Sequence, residues 1–148
     1  MIVFHASTVE IKEFYIPFGG LHLGGMMSAV DCALLKLKQG RRHTRDLTLD
    51  SIYIHRCLVE LGEEYEAKDQ GSDSGWKKLY YKLLNEEVDY DYIRYINEYE
   101  PDVVPSYCFF ETSRIKILDC NKMHMDVAED YLRGIHEDQY RYDLEILE

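Results

Sequence analysis

The sequence predicts an α+β domain. Three observations carry that reading. A β-prone run opens the chain at Ile2-Val3-Phe4-His5, one early segment has helical periodicity, and most later apolar runs are short and strand-like. Strands and helices do not alternate, which argues against a βαβ chain. At 148 residues with 46% hydrophobic residues, the chain fits a single domain over 1–148 with a real core.

The elements follow in order. After the first strand, Ser7-Thr8 have turn character, and Leu21-His22-Leu23 forms a second short run between Gly19-Gly20 and Gly24-Gly25. Two glycine pairs around three residues predict backbone packed closely against a neighbour. From Met26 to Gln39 the apolar residues Met26, Met27, Val30, Ala33, Leu34 and Leu37 recur at helical spacing, with Gly40 as the expected stop and a polar loop over 41–50. Ser51 to Leu61 reads as a strand in which Cys57 breaks the strict alternation of Ile52 and Ile54. A solvated stretch leads to a helix from about Gly75 to Glu86, capped by Asp73 or Ser74. Tyr92–Tyr99, Ser106–Glu111 and Arg114–Leu118 are the remaining strands, the last two joined by a turn at Thr112-Ser113. An amphipathic helix over Met125–Gly134 places Val127, Tyr131, Leu132 and Ile135 on one side, and the last ten residues are acidic and aromatic.

Composition narrows the function classes. Twenty-eight acidic residues against 17 basic ones give a net charge of −11, which disfavours stable binding to a phosphate backbone and suits a protein partner. The short basic run Arg41-Arg42-His43-Thr44-Arg45 is the local exception. No stretch reaches the roughly 18 apolar residues of a membrane span, and Met1-Ile2-Val3-Phe4-His5 lacks the pattern of a signal peptide. A cytoplasmic protein is expected. Cys32, Cys57, Cys108 and Cys120 form no CxxC pair, and two of them sit in apolar runs, so free thiols are expected. No Cys or His pair has metal-ligand spacing, and no metal site is expected.

Three segments carry the candidate chemistry. In Phe4-His5-Ala6-Ser7, His5 and Ser7 share one face of a strand and suit a ribose hydroxyl or an amide; a histidine at a strand end also serves structure alone. Phe18-Gly19-Gly20-Leu21-His22-Leu23-Gly24-Gly25 runs into a helix whose N-terminus favours an anion, although a tight turn explains the glycines equally well. In Tyr95-Ile96-Asn97-Glu98-Tyr99-Glu100, the two glutamates fall on the face of Ile96, where a carboxylate needs a task, a partner or water.

Taken together, these segments resemble the ADP-ribosyltransferase superfamily, in particular its small phage and bacterial members, an anti-CRISPR enzyme among them. His5-Ala6-Ser7 matches a first strand ending in His-Gly-Ser/Thr. His22-Leu23-Gly24-Gly25, followed by the helix with Ala29 and Ala33, matches a His-Phe-Gly-Thr segment. Tyr95, Asn97, Glu100, Ser106-Tyr107 and Ile115-Lys116-Ile117 match a Tyr-x-Asn-x-x-Glu motif and the two strands after it. The match covers about residues 1–120, leaving an acidic, helical extension over about 121–148.

The resemblance implies a split β-sandwich with flanking helices and NAD in the cleft. Glu100 and His5 would be the catalytic residues. His5, Ala6, Ser7, Leu21, His22, Leu23, Gly24, Asn97 and Ser106 would bind the cofactor, with Leu21 to Gly24 on the nicotinamide side. Thirteen tyrosines leave the aromatic partner of nicotinamide open. The acceptor would be a host macromolecule, preferably a protein, as for a phage protein acting on a bacterial defence complex such as CRISPR-Cas. Ala6 and Gly25 stand where those proteins have glycine and threonine. They favour one alternative, a non-catalytic acidic inhibitor on the same fold; an NAD glycohydrolase toxin is another, differing only in taking water as the acceptor.

Overall fold

The structure, a computed structural model, describes residues 1–97 and 104–134. Its order is β1 (Ile2–Ser7), β2 (Leu21–Leu23), α1 (Met26–Thr44), β3 (Ser51–Val59), β4 (Glu64–Glu66), α2 (Asp73–Asn85), β5 (Tyr92–Tyr95), β6 (Ser106–Phe109), β7 (Ile115–His124) and α3 (Met125–Arg133). The fold is mixed α+β. One sheet has the order β1-β3-β7 and is antiparallel; the other has the order β2-β6-β5-β4, with β4 parallel to β5.

Alternation along each strand sorts its side chains between layers. Phe4 and Ala6 of β1 pack with Ile52 and Ile54 of β3 against Val30, Ala33, Leu34 and Leu37 of α1 and Ala128 of α3. Val3, Cys57 and Val59 face the other way and meet Leu21, Leu23, Tyr92, Tyr107 and Phe109 of the second sheet. The outer face of that sheet, with Ile93, Tyr95 and Cys108, is covered by Trp76 and Leu83 of α2. The layers therefore run α1 and α3, first sheet, second sheet, α2.

Several boundaries differ from expectation. Helix α1 passes through Gly40 and ends at Thr44, capped by Arg45, whose φ of 56° is left-handed and whose N–H donates to the Arg41 carbonyl at 2.8 Å. Arg41, Arg42 and His43 supply the basic last turn that suits a helix C-terminus, and Arg41 donates to the Leu49 carbonyl at 2.6 Å, so tertiary contact outweighs the glycine. Residues 41–44 are thus helix rather than loop. Helix α2 begins at Asp73 and is capped by Ser72, which accepts the Gly75 N–H at 3.0 Å, and not by Asp73 or Ser74. Among the described residues β5 ends at Tyr95, β4 is a strand that the polar run 62–75 concealed, and β7 extends six residues past Leu118 to pair with Ser51–Arg56. The start of the expected helical extension, 121–124, is therefore strand, and His124 caps α3.

The irregularity at Cys57 has a plain cause. Strand β3 buries Ile52 and Ile54 under α1, then buries Cys57 and Val59 on its other face against the second sheet. The pattern changes parity because the covering layer changes. At the same step β7 carries an extra residue, Leu118, opposite Arg56/Cys57.

Candidate functional site

Strands β1 and β2 are edge strands of different sheets. They meet at one bridge, where Phe4 N–H donates to the Gly24 carbonyl at 2.8 Å and Gly24 N–H to the Phe4 carbonyl at 3.0 Å. Beside this junction lies a cavity of about 550 Å³, within the roughly 300–1,000 Å³ of small-molecule sites. Close backbone approach builds its rim. A Cβ on Gly20 would fall 2.5 Å from Cys108 Sγ, and the φ of +87° there also favours glycine.

The cavity gathers residues from all three candidate segments: His5 and Ala6, Leu21 to Gly24, and Asn97 with Ser106. Ser7 does not line it; its hydroxyl donates to the Val9 carbonyl, turning it into the following loop. Glu100, like Glu98, lies outside the described residues.

Its histidines divide between two roles. The Nδ1 of His5 is 3.0 Å from the His22 carbonyl; a carbonyl only accepts, so Nδ1 carries the hydrogen and Nε2 keeps a lone pair. Burial holds the His5 imidazole down to about 4, only partly opposed by that hydrogen bond, so it is neutral near pH 7. The ring of His22 is occupied within the protein. Its Nε2–H donates to the Gly19 carbonyl at 2.9 Å, and its Nδ1 accepts the Tyr95 hydroxyl at 2.6 Å. Burial also lowers its pKa, so His22 is a neutral brace that shapes the wall.

Two walls were legible in the motifs only in part, through Tyr95 and Ala29. The aromatic one consists of Trp76 and Tyr95, ring centroids 4.5 Å apart, with Trp76 edge-on to His22 at 5.1 Å. A helix pattern marks Trp76 only as a core residue. The other runs along α1, where Ser28, Ala29, Cys32 and Lys36 line the cavity. Their spacing puts them on one helix face, with Lys36 about 15 Å from the helix start. The helix starts after Gly25 with no acid in its first turn, so no carboxylate of that turn offsets the positive end of its dipole. Asp69 and Asp73 also line the cavity, and their charges reach the His22 ring. The lining thus carries charges of both signs, which suits a ligand that does the same.

All four cysteines are free; Cys57 and Cys108 are buried, and burial pushes the Cys57 thiol up to about 12. Among the described residues no three His, Cys, Asp or Glu gather to hold a metal ion, and no helix is long and apolar enough to cross a membrane. The chain matches no family model, no curated protein and no solved structure.

Proposed function

We propose that the chain is an ADP-ribosyltransferase that transfers ADP-ribose from NAD to a macromolecular acceptor, on a split β-sandwich of that superfamily's kind. The observation that carries this reading is the meeting of His5, Leu21–Gly24, Asn97 and Ser106 in one cavity beside the β1–β2 junction. The mixed charge of the lining supports it as well. Lys36 suits the pyrophosphate, and Asp69 and Asp73, with Trp76 and Tyr95, suit a cationic, planar nicotinamide.

The residues then divide the work. His5 Nε2 accepts a ribose hydroxyl. As the bond from nicotinamide nitrogen to the ribose carbon breaks, its electron pair leaves with nicotinamide and positive charge grows on the ribose. Glu100, assigned by resemblance, stabilises that charge and takes the proton from the acceptor as the new bond forms. An acidic surface of charge −11 and free thiols suit a protein acceptor in a reducing cytoplasm.

Trp76 is the chain's one tryptophan and lines the cavity, so its emission reports occupancy. NAD is expected to change that emission, and nicotinamide to be released in the presence of acceptor extract. Emission unmoved by millimolar NAD, with no nicotinamide formed, would overturn the reading. Binding without release under any acceptor would select the non-catalytic inhibitor, and release into water alone the glycohydrolase.

A further inference from the structure

His55 does not line the cavity. It is fully buried in β3, directly opposite His5 of β1. A buried imidazole needs partners for both nitrogens, and His55 has them. Its Nδ1 is 3.0 Å from the His5 carbonyl, so Nδ1 carries the hydrogen and donates; its Nε2 accepts the Ile11 N–H at 2.8 Å. One ring therefore ties two stretches together: the main chain at His5, and the loop that leads from β1 toward β2. Phe14 of that loop packs edge-on against both rings, with centroids 5.3 Å from His5 and 6.2 Å from His55.

The arrangement continues beyond this pair. His55 donates to the carbonyl of His5, His5 to the carbonyl of His22, and His22 to the carbonyl of Gly19. Three imidazoles thus link β3 to β1, β1 to β2, and β2 to the loop before it. A leucine could fill the same volume, but it would leave the His5 carbonyl without its donor and the Ile11 N–H without its acceptor. The hydrogen bonds, not the bulk, are what an apolar residue cannot supply.

We propose that His55 is a positioning residue for His5: by donating to its carbonyl it fixes the main chain at residue 5, which keeps the His5 Nδ1–H on the His22 carbonyl and Nε2 free of hydrogen. The catalytic consequence rests on the NAD reading of the cavity; the effect on the His5 ring does not.

The two are separated by measuring the ligand-free protein first. Nitrogen-15 NMR of the histidine rings is expected to show His5 as the Nδ1–H tautomer in the wild type. His55→Asn places an amide donor where Nδ1 stood and is expected to preserve that signature. His55→Gln reaches the Nε2 side instead, and its His5 signals are expected to average between tautomers. Circular dichroism checks that both variants fold. A His5 ring unchanged in His55→Gln overturns the proposal, as does a His5 ring disturbed equally in His55→Asn. If the Gln variant fails to fold, the wild-type tautomer and the Asn variant still decide. Nicotinamide release is then expected to fall about tenfold to a hundredfold in His55→Gln, the scale of a misplaced reacting group, and to stay near wild type in His55→Asn. A wild type that neither binds nor cleaves NAD sinks the cavity reading and leaves the tautomer result to judge His55.

Discussion

Gly24 lies so close to Ser106 that a Cβ at position 24 would fall 2.7 Å from the Ser106 hydroxyl oxygen. Ser106 is buried at 4% exposure in β6, the strand that pairs with β2, so it has little room to yield. Both residues line the cavity. Gly24→Ala is therefore expected to destabilise the protein by about 1–3 kcal/mol, the scale of overpacking, and to constrict the ligand site. Urea denaturation measures the loss. Adding Ser106→Gly should restore most of it, and a double variant no more stable than Gly24→Ala would show that the contact is not the cause.

Acid should destabilise the fold through its buried histidines. Burial lowers the pKa of His5, His22 and His55, and holds His5 at about 4 against 6.5 for an exposed imidazole. The unfolded chain therefore binds protons at His5 over a range where the folded chain does not. Stability is fully present above about pH 6.5, falls as pH drops toward about 4, and changes no further from this group below that. The contribution of His5 is about 3 kcal/mol. Urea unfolding at a series of pH values should show this slope, and His5→Phe should flatten it. A slope unchanged by that substitution would remove His5 as its source.

The sequence made some of this legible and hid the rest for physical reasons. β1, β2 and the first fourteen residues of α1 have the periodicity that solvent on one side and a core on the other impose. The reading failed where long-range partners decide. Glu64-Tyr65-Glu66 has a polar pattern and becomes a strand only because β5 offers an edge. Asp119–His124 is polar and becomes a strand because β3 continues beside it. In the site, His5, His22 and the glycines were visible as motifs. His55 was not, since its partners are a main-chain carbonyl and a main-chain N–H, which leave no mark on residue identity. Trp76 reaches the cavity from a helix outside every motif.

Tyr95 is expected to brace the site through His22. Its hydroxyl donates to His22 Nδ1 at 2.6 Å, and the ring is only 6% exposed. Tyr95→Phe keeps the ring against Trp76 and leaves the His22 acceptor without that donor. The expected loss is about 1–3 kcal/mol, the penalty for an unsatisfied buried polar atom. A cycle with His22→Phe tests the coupling: the Tyr95→Phe penalty should shrink when His22 is absent. Equal penalties in both backgrounds would mean that the hydroxyl does not act through His22.

Lys36 gives the charge argument its simplest test. It stands at the far end of the α1 wall, exposed and in the cavity lining. Reversing it should weaken NAD binding severalfold at low salt, on the order of 1 kcal/mol, and added salt should narrow the difference. Trp76 emission titrated with NAD for wild type and Lys36→Glu reads both effects. Identical affinities at low salt would place the pyrophosphate elsewhere.

Glu100 and Glu98 make the decisive pair for catalysis. Both are acidic and two residues apart, so strand periodicity alone gives them the same face and cannot choose between them. The Tyr95-x-Asn97-x-x-Glu100 spacing selects Glu100 by resemblance. One physical point agrees: Pro101 follows Glu100, lacks an N–H and tends to end regular pairing, and catalytic groups often stand where a strand gives way to a loop. Asn97, three residues before Glu100, already lines the cavity. A carboxylate near the breaking ribose bond acts on charge that exists only in the transition state. Glu100→Gln should therefore raise the barrier by at least about 2.7 kcal/mol, a hundredfold or more in nicotinamide release, with NAD affinity little changed. Glu98→Gln should lose far less, and circular dichroism should find both variants folded. Full activity in Glu100→Gln would remove that residue from the catalytic role. The same loss in Glu98→Gln with Glu100→Gln intact would transfer the role to Glu98.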